Sequence, residues 1–233
     1  MSPIEFKTGV IRPVECFKEG WELIKDEYWL FLGISLVGGL IAGFSLYILL
    51  GAMFCGIYYC LQQKYNHQPF NFGDLFKGFE FFLPGFIASL FFVVPNILMM
   101  ISNLAVQLIL PGYIQRNGGM EAFWSFFGIY MGFIGILGII MACFHALIIF
   151  TFPLIVEYRL SGIEALKLSM KAVWQNLGGV IGLIACQIGL AFIGLLACYF
   201  GIFFVLPLMY AGIYVAYRKV FPSGSQPGFD VPP

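Results

Sequence analysis

The chain has 233 residues, of which 61% are hydrophobic and only 10% charged, and its mean hydropathy is +0.92. Soluble domains carry about a quarter charged residues, so this composition excludes an ordinary water-soluble globule. The formal net charge is zero, which removes the basic excess that a nucleic-acid partner requires.

The first 27 residues mix charges of both signs. Within 14–27, Val14, Phe17, Trp21 and Ile24, with Tyr28 beyond, recur at steps of three and four, with Lys and Glu opposite. That pattern predicts an amphipathic helix at headgroup level. Two uses are open to it: a surface sensor or docking site, or an elbow that sets the depth of the next span. The stretch that follows is too long for a signal-peptide core, so the first span is expected to stay as an anchor.

Residues 28–63 contain no Asp, Glu, Lys or Arg, and neither do 81–115, 122–156 or 172–217. A bilayer core of about 30 Å is crossed by about 20 apolar residues. The 36 residues of the first block would make a helix of about 54 Å, so it is either one oversized span or a hairpin turning near 43–51. The second and third blocks each read as one long span, with the second either continuous or broken at Pro95 and Pro111. Pro153 is expected to bend the fourth span, and Pro207 the sixth. The last block, with 46 residues, would be about 69 Å as one helix and must fold back between Gly194 and Gly201.

Positive charge chooses among these options. With a hairpin in the first block, eleven Lys and Arg residues lie on the side of both termini, and Arg116 alone lies opposite. With a single span there, the split is seven against five. The sequence therefore predicts an all-α polytopic membrane protein with six transmembrane helices and cytoplasmic termini. Its parts are a cytoplasmic amphipathic segment 1–27, a transmembrane domain 28–217 and a flexible cytoplasmic tail 218–233.

A parallel internal repeat is also expected. Glu15-Cys16-Phe17-Lys18 matches Glu164-Ala165-Leu166-Lys167, and Leu50-Gly-Ala-Met-Phe-Cys-Gly-Ile-Tyr58 matches Leu206-Pro-Leu-Met-Tyr-Ala-Gly-Ile-Tyr214. The units are about 14–66 and 163–221, flanking a central hairpin 81–156. Asp74-Leu75-Phe76-Lys77 is a fainter third echo. In the second unit, Ile163, Leu166, Met170, Val173 and Trp174 again mark an amphipathic helix, with Ser161 and Glu164 spaced as a capping box.

Small residues at helical spacing form candidate packing seams: Gly39 and Gly43; Gly128, Gly132 and Gly135; Gly178, Gly182 and Gly189. Helices in lipid associate by close backbone approach at such positions, within one chain or between copies. Asn96, Asn103 and Gln107 share a face of the third span, with Ser89 one repeat earlier, while His145 and Gln187 lie in the fourth and fifth spans. They read either as a polar pocket along a permeation path or as interhelical hydrogen-bond glue. No Asp, Glu, Lys or Arg lies deep in a span, which disfavours an ion-coupled carrier.

No pattern of catalysis emerges. His67 and His145 have no ligand partner at i+4, so no zinc site is implied, and no carboxylate pair is identifiable. The six cysteines, Cys16, Cys55, Cys60, Cys143, Cys186 and Cys198, form no CxxC pair and read as small packing residues. No cofactor is expected.

The order of residues 51–56, 72–79, 152–157, 164–170 and 201–218 resembles a broad superfamily of six-helix bacterial membrane proteins. It includes YciC-like proteins and the membrane domain fused to glycerophosphodiester phosphodiesterases. The resemblance covers about 14–80 and 150–221. It departs from the family at Gly51-Ala52-Met53, where Gly-Pro-Leu is usual, and no appended phosphodiesterase is expected. It implies a bacterial inner-membrane protein without catalytic residues to transfer. Two functions remain as expectations: a membrane-organising, assembly or oligomeric scaffold component, with the bilayer, a second copy or another membrane protein as partner; or a transporter or channel for a small or lipidic solute.

Overall fold

The computed structural model describes residues 4–117, 119–196 and 200–222. Among these the chain is all-helical. The α-helices are α1 (Pro13–Ile24), α2 (Tyr28–Phe44), α3 (Leu50–Tyr65), α4 (Phe82–Asn117), α5 (Met120–Leu147), α6 (Thr151–Tyr158), α7 (Gly162–Gln175), α8 (Leu177–Leu196) and α9 (Gly201–Val220). Two 3₁₀ segments, Lys25–Glu27 and Phe72–Phe81, precede α2 and α4. Five stretches are long and apolar enough to cross a bilayer: Pro13–Phe44, Phe72–Arg116, Phe123–Tyr158, Leu177–Leu196 and Gly201–Val220. The protein is a multi-pass membrane protein by the length and composition of its helices.

The chain divides into two compact units, Ser89–His145 and the described residues on either side of it. In the larger unit, α2 turns into α3 through residues 45–49. Leu46 and Tyr47 are both left-handed there, at φ 50° and 67°. Ser45 stabilises the turn by donating to the Ala42 carbonyl at 3.0 Å and accepting from Leu49 N–H at 3.1 Å. Lys64 then reaches Glu27 at 2.9 Å, which brings the two ends of block 28–63 together, so the block is a hairpin and not one span. Its second arm has 16 residues, about 24 Å. That is short for a bilayer core, and Leu50–Leu61 is almost entirely buried.

α3 is the hub of this unit. Its Gly56 lies under the Leu75 carbonyl, and Gly78 of the 3₁₀ segment lies under the Ala52 carbonyl. The segment can sit this close because glycine presents no Cβ, and a side chain at either position would strike backbone. Asn71 starts it with a capping box: it accepts from Gly73 N–H, and Asp74 accepts from Asn71 N–H, both at 2.8 Å. Gly51 meets Gly85 at the first turn of α4 in the same way.

α1 forms over the predicted stretch, with Pro13 in its first turn, where a missing N–H is harmless. Its buried stripe is Cys16, Phe17, Gly20 and Ile24. It runs antiparallel alongside α9: Lys7 N–H donates to Val220 O, Lys219 pairs with Glu19, and a Cβ on Gly20 would lie 2.8 Å from Gly212 N. Val14 and Trp21, expected on the apolar stripe, stay exposed.

Block 122–156 falls almost wholly within one stretch long and apolar enough to span, Phe123–Tyr158, but its helix is interrupted. α5 stops at Leu147, residues 148–150 turn, and α6 starts at Thr151. Pro153 explains the break, because it offers no N–H to the Ile149 carbonyl and its ring crowds that residue. Ser169 of α7 supplies what the turn lacks, donating to Leu147 O at 2.8 Å and accepting from Phe150 N–H at 3.2 Å. By contrast α4 continues through Pro95 and Pro111, and α9 through Pro207. α7 begins with the anticipated capping box, Ser161 accepting from Glu164 N–H and Glu164 from Ser161 N–H. Its buried stripe is Ala165, Leu166, Ser169, Ala172 and Val173, whereas Ile163, Met170 and Trp174 are exposed. α8 and α9 fold back on one another, with a Cβ at Gly194 falling 2.8 Å from Ile202 Cα. The smaller unit consists of the long arms of α4 and α5.

Candidate functional site

The polar residues expected along α4 do not gather into one site. Asn96 donates to the carbonyl of Phe92, one turn back, at 2.6 Å, and its Nδ2 lies 3.5 Å from His145 Nε2. The His145 ring stacks on Phe92 with centroids 4.3 Å apart. Asn103 likewise donates to Met99 O at 2.9 Å, while its Oδ1 accepts the Tyr130 hydroxyl from α5. Each asparagine thus spends its amide on its own helix and meets one α5 side chain. Gln107 is exposed, and Gln187 belongs to the larger unit.

The candidate seam glycines also divide. A Cβ at Gly39, Gly43, Gly128, Gly132, Gly135, Gly178 or Gly189 would meet nothing within 4 Å, so none of these is a close approach within the chain. Only Gly182 is one, against the Pro13 ring. Close approaches lie also at Gly20, Gly51, Gly56, Gly78, Gly85, Gly162, Gly179, Gly194 and Gly212, positions that glycine repeats at helical spacing did not single out.

A second polar cluster went unrecognised in the sequence because its charges lie at block ends. Arg218 of α9 and Glu157 of α6 form a salt bridge with side chains only 7% and 4% exposed. The Arg218 guanidinium lies over the Tyr65 ring of α3, 4.7 Å from its centroid. Tyr65 packs edge-on to Tyr214, and Tyr214 against Tyr58 and Tyr217. The Tyr217 hydroxyl lies near the Glu157 carboxylate and that of Tyr214 near Arg218, both outside hydrogen-bond geometry. Helices α3, α6 and α9 therefore meet around one neutral ion pair inside an aromatic cage. Such a pair, desolvated on both sides, acts as a lock between helices more than as a source of net stability.

Asn176 is a third missed residue. Buried between α7 and α8, it accepts from Gly9 N–H at 2.7 Å and donates to Lys7 O at 3.1 Å and Ala172 O at 2.9 Å. It ties the N-terminal segment to the α7–α8 joint.

The larger unit also carries an apolar groove of about 750 Å³ between α1, α8 and α9. Phe17 and Trp21 form one wall and Leu190 and Ile193 the other, with Lys18 and Glu22 on the rim. Cys16, Cys55, Cys60, Cys143 and Cys186 are free thiols, while Cys198 and tail residues 223–233 lie outside the described residues. Among the described residues no three His, Cys, Asp or Glu side chains assemble where a metal could bind. Comparison with protein-family models, curated proteins and solved structures finds no match to this chain.

Proposed function

We propose that this chain is a non-enzymatic integral membrane protein of the bacterial inner membrane that acts as an assembly partner or oligomeric scaffold. One observation carries the reading. Asn96, Asn103 and His145 are taken up in pairwise contacts inside the smaller unit, whereas Gly128, Gly132 and Gly135 on α5 and Gly178 on α8 face open space. A permeation path needs converging polar groups, while an interface between copies or with another membrane protein needs bare glycine faces.

The architecture proposed with it has six spans, α2, α3, α4, α5–α6, α8 and α9, with both termini cytoplasmic. The leading segments 13–24, 72–81 and 162–175 begin three related units. Three packings support this arrangement. The first segment lies on α9 through Gly20 and Gly212, the second on α3 through Gly78 and Gly56, and the third on α6 through the Ser169 contacts at its start. Each leading segment thus rests on the closing helix of the preceding unit, and the first rests on the last.

The test is the oligomeric mass of the intact protein in nanodiscs, measured beside Asn103→Leu. A scaffold is expected as a closed oligomer or stable complex, with its assembly nearly unchanged by the substitution. A monomer retaining a solute that Asn103→Leu abolishes overturns the proposal in favour of transport. The α1–α8–α9 groove is the feature that favours the second reading, handling of a lipidic solute.

A further inference from the structure

We propose that the groove between α1, α8 and α9 is a binding site for an anionic phospholipid, with one acyl chain in the groove and the phosphate on the Lys18 ammonium. This site does not depend on the scaffold reading. The groove has the size of a small-molecule site, which typically spans about 300–1,000 Å³, and it is open along one side. It is concave because Gly189 presents no side chain and nothing lies within 4 Å of the position a Cβ would take. Phe17, Leu190 and Ile193 line it with hydrocarbon, and half-exposed Trp21 stands at its edge. An indole with one apolar and one wet face suits the boundary between acyl chains and headgroups.

Charge selects the occupant. Glu15 of α1 is paired with Arg12, Glu19 with Lys219 and Glu22 with Lys25. Lys18 is the one charged residue of α1 with no acidic partner among the described residues, and it lies on the groove's rim. Glu22 shares that rim, but Lys25 already neutralises it. The rim therefore carries one uncompensated positive charge and no free carboxylate for the ammonium of a zwitterionic headgroup. An apolar helix from a second copy would fill the hydrocarbon part but leave Lys18 unanswered.

The intact protein is reconstituted with equal phosphatidylglycerol and phosphatidylethanolamine, released gently, and its retained lipid is counted by native mass spectrometry. Wild type is expected to retain phosphatidylglycerol over phosphatidylethanolamine. One Lys–lipid contact is worth about 1 kcal/mol, so Lys18→Glu should cut that retention by about fivefold or more. Lys167→Glu, on α7 and away from the groove, should leave it unchanged. Gly189→Trp points into open space and should exclude either lipid by filling the groove. Lys18→Gln, which introduces no new charge, serves if Lys18→Glu does not yield folded protein. Equal retention of the two lipids by wild type overturns the proposal, as does unchanged selectivity in both Lys18 variants. So does retention that survives Gly189→Trp, or a Gly189→Trp protein whose only change is dissociation of a dimer.

Discussion

At the scale of single residues, buried polar groups do more than their number suggests. Asn176→Ala removes an acceptor from Gly9 N–H and donors from Lys7 O and Ala172 O. The Gly9 and Lys7 contacts are part-buried and only the Ala172 contact is buried, so the loss should be about 1 kcal/mol, and the variant should unfold at lower denaturant and expose residues 4–12 to protease. The Arg218–Glu157 pair makes a sharper prediction. Arg218→Met alone strands a buried carboxylate and should destabilise the fold by about 3–5 kcal/mol. Arg218→Met combined with Glu157→Leu removes both charges and should recover most of that loss. Detergent-denaturation midpoints of the three proteins test it: if the double variant is no better than the single one, the pair is not the lock described.

At the scale of elements, glycine crossings rank the consequences of adding one methyl group. A Cβ at Gly56 strikes the Leu75 carbonyl, which is backbone, whereas one at Gly212 strikes the Phe17 ring, a side chain. Gly135 has open space. Gly56→Ala should therefore cost the most, about 1–3 kcal/mol for overpacking, and Gly212→Ala less. Gly135→Ala should cost the fold of the single chain nothing, or bring a slight gain from helix propensity, its effect falling on assembly instead. Unfolding midpoints read the order directly. The capping box of α7 adds a pH dependence. The Ser161 hydroxyl and backbone N–H hold the Glu164 carboxyl below its usual range. A depressed value in the folded state means the contribution is complete above the ordinary glutamate pKa and is lost as pH falls through the lowered one. Hydrogen exchange in the first turn of α7 should accelerate over that acid range, and Glu164→Gln should abolish the dependence.

These elements also mark what was legible in advance. Amphipathic periodicity announced α1 and α7, and the Ser161/Glu164 spacing announced the cap, because such signals are local. The stripe buried on α7 is displaced from the apolar one, because Ala165, Ser169 and Ala172 are chosen for close packing and not for hydrophobicity. The Asn176 tether and the Glu157–Arg218 lock join residues 167 and 61 positions apart, and no local pattern carries such distances.

At the scale of the whole molecule, topology follows from the bilayer and from ion pairs together. Four bridges join distant parts of the chain: Glu19 with Lys219, Glu27 with Lys64, Glu80 with Arg159, and Glu157 with Arg218. Partners in contact cannot lie on opposite sides of a membrane. A single span over 28–63 would separate Glu27 from Lys64 and Glu19 from Lys219, so that arrangement is incompatible with two of the four. A hairpin there is compatible with every pair, and the six-span arrangement proposed above would collect eleven of the twelve Lys and Arg residues on the side these pairs share. Arg116 is left alone at the far end of α4, next to the start of α5. A reporter enzyme active only outside the cytoplasm should be active when fused after Arg116 and silent when fused after Lys64, Arg159 or Lys219. Activity after Lys64 with silence after Arg116 would mean either the reverse orientation or a single span over 28–63. Activity after Lys64 but not after Lys219 would put one of the two across the membrane from Glu19 and Glu27. That breaks either the Glu27–Lys64 or the Glu19–Lys219 constraint, and with it the six-span arrangement on which the scaffold proposal is built.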